Sequence, residues 1–328
     1  MAADNDGTAT LVILRALGLG DLLTAVPALR ALADAFPDHR RVLAAPGGLA
    51  PLVALTNAVD GVVDTRPLAP LHPSLRGSEV AVNLHGRGPQ SHRVLLEAEP
   101  GCLISFSHTE VPQSADGPPW RSGEHEVERW CRLLESYGIP ADPGQLDLGA
   151  PSRVAPGPAR GATLIHPGAA SAARRWPAER WAAVARSEVA GGRHVIVTGG
   201  RDEVDLARSV ARTAGLEESA VYAGRSGLVE LAALVAAAGR VVCGDTGVSH
   251  LATALGTPSV TLFGPTSPAL WGPPPGRPRH RALWAGRTGD PHSDSPDPGL
   301  LELRVEDVTA ALAGLPPRSA RETVLRRA

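Results

Sequence analysis

The stretch Val241–Gly264, VVCGDTGVSHLATALGTPSVTLFG, constrains the fold more than any other part of the chain. A β-branched apolar run, a glycine-containing turn, apolar residues at helical spacing and a second apolar run predict strand, turn, helix and strand. Such a turn exposes backbone N–H groups at the positive end of the helix dipole, which suits a phosphate or diphosphate. A plain capped helix in a βαβ unit has the same pattern, so the turn alone leaves both interpretations open.

The same pattern of strand, turn and helix recurs in two series along the chain. The first series opens with the apolar run 10–15, the turn Gly18–Asp21 and a predicted helix over 22–35. The second series follows a proline- and glycine-rich segment at 151–160, which we interpret as a linker. Alternation of strands and helices on both sides of a linker is typical of two α/β domains.

We therefore predict two domains, residues 1–152 and 160–328, each with a doubly wound parallel sheet. Ligands of such sheets bind at the carboxyl ends of the strands, so two domains facing each other would form a cleft for two substrates. A last short helix at 318–328 could pack back on the N-terminal domain. Other predicted elements are a helix over 49–56, a helix over 124–137, a strand at 220–222 and a loop over 277–299.

Charge and composition exclude several classes of function. The net charge is −2, without the basic excess of a general nucleic-acid binder, and all 32 basic residues are arginine. The absence of lysine excludes Schiff-base lysine chemistry and a Walker-type lysine. The 3 cysteines lie far apart and the first ten residues do not resemble a signal peptide. Since no apolar run approaches the ~18 residues of a membrane span, we expect a soluble cytoplasmic protein.

Asp21 is the first candidate for chemistry. A carboxylate at the start of a helix and at the mouth of a strand can act as a general base, or it can simply cap the helix. The helix dipole is expected to lower the pKa of Asp21 and keep it ionised. Binding of a nicotinamide cofactor is disfavoured, because Leu23 stands where the dinucleotide fingerprint begun by Gly18 and Gly20 needs a third glycine.

Four short motifs follow one another along the chain. They are GDLLTAVPAL at 20–29, HPG at 166–168 with RRWP at 174–177, DTGVSHLA at 245–252, and FGPT at 263–266. In this order they resemble the motifs of glycosyltransferase family 9, the heptosyltransferases, which transfer heptose from ADP-heptose to the lipopolysaccharide core. The resemblance runs over most of the chain.

The resemblance implies a GT-B fold, in which two facing Rossmann-like domains bind the acceptor (N-terminal) and the nucleotide-sugar donor (C-terminal). It also implies an inverting transfer without a metal, with Asp21 as the catalytic base. Arg174 stands in the place of a family lysine, where its planar fork suits the oxygens of a leaving diphosphate; a solvated charge ahead of a helix is the alternative. The resemblance implies donor binding by the motif residues Asp245, Thr246, Gly247 and His250, with the diphosphate held by Thr246 and Gly247. Further donor-binding candidates come from the end of the second strand of the C-terminal domain: they are Gly199 and, for a ribose contact, Glu203 or Asp202.

The loop 83–93 lies where the family binds its acceptor. Its polar groups at a strand end could hold an anionic or hydroxylated acceptor. The acceptor-binding residues predicted here are Gly20, His85, Arg87 and Arg93. Two simpler interpretations remain open: the loop can be merely solvated, and His250 can be a core histidine that is hydrogen-bonded to backbone.

No metal and no cofactor are expected. A DxD-type pair, Asp4 and Asp6, precedes the first strand without a scaffold to hold it, and the histidines lack metal-ligand spacing. The nucleotide sugar would be a substrate. Fixed dipoles and an arginine can stabilise a leaving diphosphate without a metal.

The resulting prediction is an inverting, metal-independent glycosyltransferase that moves a heptose-type sugar from an ADP-sugar to an acceptor hydroxyl. The acceptor would be a glycan, a glycolipid or a small molecule, with no nucleic-acid partner and at most peripheral contact with a membrane. Two alternatives stay open: a sugar-nucleotide epimerase of the same fold, and a non-catalytic nucleotide-sugar-binding protein, against which an intact Asp21 argues.

Overall fold

The computed structural model describes residues 8–225 and 227–317. The chain divides into two compact units, one up to Leu146 and one from Asp147 onwards. The helix predicted at 318–328 lies outside the described residues. Within the described ranges, no helix has both the length and the apolar character needed to cross a membrane.

The first unit is built on one parallel sheet. Its strands and helices are β1 (Thr10–Leu14), α1 (Leu19–Thr24), α2 (Val26–Ala35), β2 (Arg40–Ala45), α3 (Ala50–Val53), β3 (Gly61–Asp64), β4 (Val80–Asn83), α4 (Gln90–Leu96), β5 (Cys102–Ile104) and α5 (Glu126–Glu135). The five strands lie in the order β3-β2-β1-β4-β5. The central strand β1 pairs with β2 from Thr10 opposite Arg40, and with β4 as far as Leu14 opposite Asn83. The reversal of strand order beside β1 is the place where open α/β sheets bind ligands.

The second unit repeats this plan. Its strands and helices are β6 (Thr163–His166), α6 (Ala178–Ala190), β7 (Val195–Val197), α7 (Val204–Ala214), α8 (Leu228–Ala237), β8 (Arg240–Gly244), α9 (Gly247–Ala254), β9 (Ser259–Leu262), α10 (Pro268–Trp271), β10 (His280–Leu283), α11 (Pro298–Glu302) and α12 (Val305–Ala313). The five strands lie in the order β10-β9-β8-β6-β7, and all are parallel. The prediction of two α/β units with parallel sheets is confirmed.

Alanine, valine and leucine fill most of both cores, as a chain with 3% aromatic residues requires. The aromatic residues are concentrated instead. In the first unit the ring of Phe106 lies 5.1 Å from that of Trp120 and 5.9 Å from that of Trp130, centroid to centroid. Trp130 belongs to α5 and is 1% exposed, so this cluster fixes α5 against the rest of the first unit.

Each unit contains one buried cysteine. Cys131 lies in α5 of the first unit and Cys243 in β8 of the second. Burial raises the pKa of both thiols to about 12. Cys102, at the start of β5, is exposed, and all three cysteines are free. The two buried thiols are therefore protonated at neutral pH and unreactive in the folded protein.

The prediction of a single helix over 22–35 is wrong. The segment forms two helices, α1 and α2, which meet at Ala25. Pro27 lies in the first turn of α2, where it has no N–H to donate and cannot continue the hydrogen bonding of α1. Because α1 begins directly after Gly18, Asp21 lies within the first turn of the helix and not in a turn that precedes it.

The other sequence expectations differ in outcome. The strands and helix predicted in Val241–Gly264 are confirmed as β8, α9 and β9. The predicted strand at 220–222 is wrong, since Val221 forms only an isolated bridge with Val197. The loop predicted over 277–299 contains β10 and the first residues of α11. The strand β10 lies at the edge of its sheet. Its sequence, HRAL, begins with two polar residues and therefore lacks the apolar run that predicts a buried strand.

Candidate active site

Asp21 lies just beyond the carboxyl end of β1, in the first turn of α1. Its Oδ2 accepts a hydrogen bond from the Gly18 N–H at 3.2 Å, which closes the start of the helix. The side chain keeps 29% of its surface exposed. Burial raises the pKa of Asp21 above its ordinary value, and the nearby Arg15 guanidinium only partly opposes this. The expectation of a lowered pKa is therefore wrong: desolvation outweighs the short helix, and the carboxylate is more basic than a free one.

Arg15, which follows β1, is the unexpected neighbour of Asp21. Its side chain is 1% exposed. Its Nε donates to the main-chain oxygen of Asp21 at 2.8 Å, and its Nη1 donates to the main-chain oxygen of Leu84. Its Nη2 donates to Thr24 Oγ1 at 3.2 Å and to Glu126 Oε1 at 3.1 Å. The guanidinium thus joins the ends of β1 and β4 to α1 and α5.

Glu126 anchors this arrangement from α5. Besides Arg15, its Oε1 accepts a hydrogen bond from Trp130 Nε1 at 2.9 Å, and its Oε2 accepts one from Arg129 Nη1. Glu126 is 5% exposed and Arg129 is 6% exposed. A buried carboxylate is tolerated only when its oxygens are paired in this way.

His85 lies next to the same network, in the loop after β4. Its backbone N–H donates to Asn83 Oδ1 at 2.9 Å, and Asn83 Nδ2 donates to Ser91 Oγ at 2.9 Å, so the loop is pinned from within. Burial, with the charge of Arg15 as a second cause, lowers the pKa of His85 to about 4. The ring is therefore neutral at pH 7. Its buried Nδ1 has no hydrogen-bond partner within the described part of the chain.

The remaining predicted acceptor residues have different surroundings. Gly20 precedes Asp21 in the first turn of α1. Arg87 is exposed in the loop after β4, and Arg93, on α4, is exposed and pairs with Glu110 at 2.8 Å. The structure therefore groups His85 with Arg15 and Asp21, whereas Arg93 is engaged on the surface.

The turn after β8 has the geometry of an anion site. Thr246 is the N-cap of α9, with an extended backbone (φ −146°), and its Oγ1 accepts the Val248 N–H at 3.4 Å. Gly247 is the first residue of the helix. Ser249 Oγ donates to the Thr246 main-chain oxygen at 2.7 Å. These bonds fix the first turn of an eight-residue helix, whose N-terminal dipole favours a negative group.

Arg174 brings a cation to this turn. Its Nη1 donates to the main-chain oxygen of Asp245 at 3.1 Å and lies 3.9 Å from Asp245 Oδ2. Its buried Nε has no hydrogen-bond partner among the described residues. The approach of the two segments requires Gly244, since a Cβ there would lie 3.1 Å from the main-chain oxygen of Arg174. Burial raises the pKa of Asp245 to about 6 against the opposing charge of Arg174.

Glu203, predicted to contact the donor, lies after β7, in the short turn Arg201–Glu203 that leads into α7. Its Oε2 accepts the Gly200 N–H at 2.7 Å and lies 3.7 Å from Nε2 of the buried His166. Two glycines make room for it: a Cβ at Gly168 would overlap the Glu203 carboxylate, and a Cβ at Gly199 would lie 3.1 Å from Glu203 Cβ. Gly199 thus lies in close contact with the Glu203 side chain, and its predicted contact with the donor stays a prediction.

His250 faces an aromatic ring on the next helix. It lies on α9, is partly exposed, and its ring centroid is 6.0 Å from that of Trp271 in an edge-on arrangement. Asp245, Thr246 and Gly247 therefore share one short turn, and Arg174 contacts it from the segment Ala172–Arg174. His250 lies one helical turn further along α9.

Sequence reasoning missed Arg15 and Glu126. Arg15 carries a local signal, because it is a charged residue directly after the buried apolar run 11–14. Glu126 carries none, since it resembles any acidic residue in the first turn of a helix. Their contact joins residues 111 positions apart, which no local pattern specifies.

Neither unit shows a candidate metal centre in the ranges that the structure describes. No group of three or more histidine, cysteine, aspartate or glutamate side chains in those ranges is placed to share an ion. Asp4 and Asp6 lie outside them.

Comparison with known sequences identifies relatives. Residues 117–298 match glycosyltransferase family 9 (heptosyltransferase). The chain is 31% identical over 153 residues to lipopolysaccharide heptosyltransferase 1 of Pseudomonas aeruginosa, which is 46% of this chain and 42% of that protein. It spans less than half the length of the curated relatives that it matches first.

Solved structures share the fold over nearly the whole chain. Escherichia coli ADP-heptose heptosyltransferase II superposes with a TM-score of 0.73 at 19% identity, covering 98% of this chain and 100% of that one. Escherichia coli heptosyltransferase WaaC, solved with ADP-2-deoxy-2-fluoro heptose, gives 0.69 at 19% identity, with coverage of 93% and 99%. TibC of enterotoxigenic Escherichia coli, described as an iron-containing glycosyltransferase, gives 0.59 at 14% identity, with coverage of 93% and 75%. The predicted GT-B fold is confirmed.

Proposed function

The chain belongs to glycosyltransferase family 9, and we propose that it transfers a heptose-type sugar from an ADP-sugar to an acceptor hydroxyl, with inversion and without a metal. Support for the donor comes from relatives and structural neighbours whose names specify heptosyltransferase, one of them solved with an ADP-heptose analogue. The proposed acceptor is a glycan, a glycolipid or a small molecule that carries a free hydroxyl.

The observation that carries this proposal is the position of Arg174 beside the turn before α9. Arg174, whose buried Nε has no hydrogen-bond partner among the described residues, contacts Asp245, the residue before the N-cap of α9. Its charge and the N-terminus of α9 both favour an anion. In the proposed reaction the diphosphate of the donor binds to Thr246 and Gly247, and Arg174 stabilises the charge that develops as the diphosphate leaves. Asp245 holds Arg174 in place through its main-chain oxygen.

Asp21 supplies the other half of the proposed chemistry. It takes the proton of the acceptor hydroxyl while the hydroxyl oxygen forms its bond to the anomeric carbon. The bond from that carbon to the diphosphate oxygen breaks, and the nucleoside diphosphate leaves with the electron pair. Attack on the face opposite the leaving group inverts the anomeric centre. The raised pKa of Asp21 suits this role, because it makes the carboxylate a stronger base.

The remaining site residues have supporting roles in the proposal. Gly20, His85, Arg87 and Arg93 would line the acceptor side, where the neutral His85 can exchange a hydrogen bond with a hydroxyl. On the donor side, Glu203 would accept hydrogen bonds from the ribose hydroxyls, and His250 would lie beside the diphosphate. Gly20, His85 and Arg87 lie beyond the ends of β1 and β4, the side of a sheet on which ligands bind. Glu203 lies beyond β7, whereas Arg93 and His250 lie on the helices α4 and α9.

A reducing, cytoplasmic location is part of the proposal. All three cysteines are free and two of them are buried, as expected of a protein that does not depend on disulfides.

The proposal is tested first with a panel of ADP-, UDP-, GDP- and dTDP-linked sugars, using thermal shift to detect binding and product formation to detect transfer. We expect the largest shift with ADP-heptose, and a product whose anomeric configuration, read by NMR coupling constants, is opposite to that of the donor. Retention of configuration would contradict the inverting mechanism. Release of ADP without an acceptor-linked product would contradict transfer itself.

Metal independence needs its own experiment, because TibC is described as containing iron. We expect full turnover after exhaustive treatment with EDTA and an iron chelator. Loss of turnover that Mg²⁺, Mn²⁺ or Fe²⁺ restores would contradict the metal-free mechanism.

A further inference from the structure

We propose that Glu126 is a positioning residue for Asp21. It holds the guanidinium of Arg15 in a place from which it donates to the main-chain oxygen of Asp21 but forms no hydrogen bond with the Asp21 carboxylate. The inference rests on the proposed function, in which Asp21 is the base. It assigns a task to a buried side chain that lies outside the family motifs at 20–29 and 245–252.

Arg15 directs its hydrogen-bond donors to partners other than the Asp21 carboxylate. Its Nε and Nη1 are committed to two main-chain oxygens, those of Asp21 and Leu84. Its Nη2 donates to Glu126 Oε1 at 3.1 Å, whereas the distance from Nη2 to Asp21 Oδ1 is 3.6 Å. The second distance exceeds that of a normal hydrogen bond. Arg15 therefore holds the backbone of Asp21 and leaves its carboxylate available to a substrate.

Glu126 is held rigidly by its own partners. Trp130 and Arg129 occupy its oxygens together with Arg15. Arg129 is fixed in turn, since its Nη2 donates to the Glu124 main-chain oxygen at 2.9 Å and its guanidinium lies 4.2 Å from the centre of the Trp120 ring. Glu126 cannot follow Arg15 if the guanidinium moves, so it acts as a fixed anchor.

The charges around Asp21 balance one another. The charged groups that face it are Arg15, beyond the end of β1, and Glu126, on α5, with Arg129 behind Glu126. His85, from the loop after β4, is neutral because its pKa is about 4. With Asp21 ionised, two cations and two anions balance. Burial is the largest cause that raises the pKa of Asp21, and the charge of Glu126 adds to it while Arg15 opposes it.

Removal of the charge of Glu126 has a definite consequence. Nη2 of Arg15 would lose its carboxylate partner, and in the described part of the chain the other carboxylate within 4.0 Å of it is that of Asp21, at 3.6 Å. The guanidinium would turn towards Asp21 and form a closer ion pair, which stabilises the ionised carboxylate. Asp21 would become a weaker base, and one of its oxygens would be engaged by Arg15.

The test is the variant Glu126→Gln in the full chain, labelled with ¹³C at the aspartate side-chain carboxyl. Its titration is followed by NMR, and the Asp21 signal is assigned by its loss in Asp21→Asn. We expect a lower titration midpoint for Asp21 than in the unmodified protein. In turnover, we expect the acidic limb of the kcat/KM profile to move to lower pH and kcat on its plateau to fall about tenfold, as for a weakened base.

Glu128→Gln is the matched control. Glu128 lies on the same helix, is exposed, and carries the same charge without touching Arg15 in the described structure. We expect no change in the Asp21 midpoint for this variant. If Glu126→Gln fails to fold, Glu126→Asp is measured instead; it keeps the charge but shortens the reach to Nη2, and we expect an Asp21 midpoint below that of the unmodified protein.

The outcomes separate the inference from the proposed function. A folded Glu126→Gln variant, shown by an unchanged far-ultraviolet circular dichroism spectrum, with an unmoved or raised Asp21 midpoint overturns the positioning role. The same holds for Glu126→Asp if it is the variant measured. Absence of turnover by the unmodified protein with every donor contradicts the proposed function, whereas the NMR midpoint still decides the contact among Glu126, Arg15 and Asp21.

Discussion

Each unit carries an ion pair between an arginine and an aspartate that lie beyond the carboxyl ends of its strands, with burial reversed between the partners. In the first unit Arg15 is 1% exposed and Asp21 is 29% exposed. In the second unit Arg174 is 28% exposed and Asp245 is 7% exposed. The first sheet therefore presents a carboxylate at its ligand edge, and the second presents a guanidinium. An exposed aspartate beside a buried arginine is suited to accept a proton, whereas an exposed arginine beside a buried aspartate is suited to bind an anion.

The largest expected effect is at the exposed carboxylate. We expect Asp21→Asn to lower kcat by about 10²–10⁴, since a general base contributes that much, and to leave the affinity for ADP nearly unchanged. Single-turnover rates and calorimetric ADP binding measure the two effects separately. A variant that keeps more than about a third of the original kcat would remove Asp21 from the role.

The exposed guanidinium comes next. We expect Arg174→Ala to lower kcat about 10²-fold and to raise the donor KM less, because the diphosphate gains charge in the transition state. Arg174→Lys, which restores the residue type of the resembled motif, is the matched control and is expected to recover part of kcat. If Arg174→Ala raised only KM, the guanidinium would be a ground-state contact and the comparison with Asp21 would fail.

A smaller effect is expected at Gly168, which makes room for Glu203. A methyl group there would displace the Glu203 carboxylate, so we expect Gly168→Ala to weaken donor binding about tenfold with little change in kcat. Gly157→Ala serves as the control, since a Cβ at Gly157 meets nothing within 4 Å. Equal donor KM values for the two variants would show that Glu203 does not bind the donor.

The smallest effect concerns stability and the buried carboxylate. Burial raises the pKa of Asp245 from 3.8 to about 6, so the folded state binds its proton more tightly than the unfolded state. Asp245 therefore reduces the free energy of unfolding as pH rises from about 4 to 6, by on the order of 1–3 kcal/mol. We expect Asp245→Asn to remove this dependence and to be relatively more stable at pH 7.5 than at pH 4.5.

Urea unfolding of Asp245→Asn and the unmodified chain at both pH values measures this. A stability difference that does not change with pH would mean that Asp245 titrates alike in both states. The reversal of burial between the two units would then lack the energetic consequence inferred here.

The fold was predictable because its signals are local. The apolar runs 10–14 and 241–243, each followed by a glycine turn and a helical period, specify strand, turn and helix without any knowledge of distant residues. The same signals placed Asp21 and Thr246 at the ligand edges of their sheets. The strand β10 was not predictable in this way, since its pairing with β9 decides its structure.

The electrostatic part of the site was not predictable. The pKa of Asp21 depends on burial and on two charges, one of which comes from Glu126 on a distant segment. The helix dipole, which local sequence alone suggests as the cause, predicts a lowered pKa for Asp21, whereas burial raises it. Likewise, the break between α1 and α2 was readable from Pro27, but only once the position of the helix start at Gly18 was known.

The buried thiols of Cys131 and Cys243 allow local opening to be measured separately in each unit. One lies in α5, which carries Glu126, and the other in β8, which leads to Asp245. A thiol reagent reaches either cysteine only when that element detaches, so its rate of modification reports the free energy of opening of that element. Cys102, exposed on β5, reacts at once and sets the intrinsic rate. Comparison of the two rates therefore shows which element, α5 or β8, opens first, and it uses cysteines that the chain already contains.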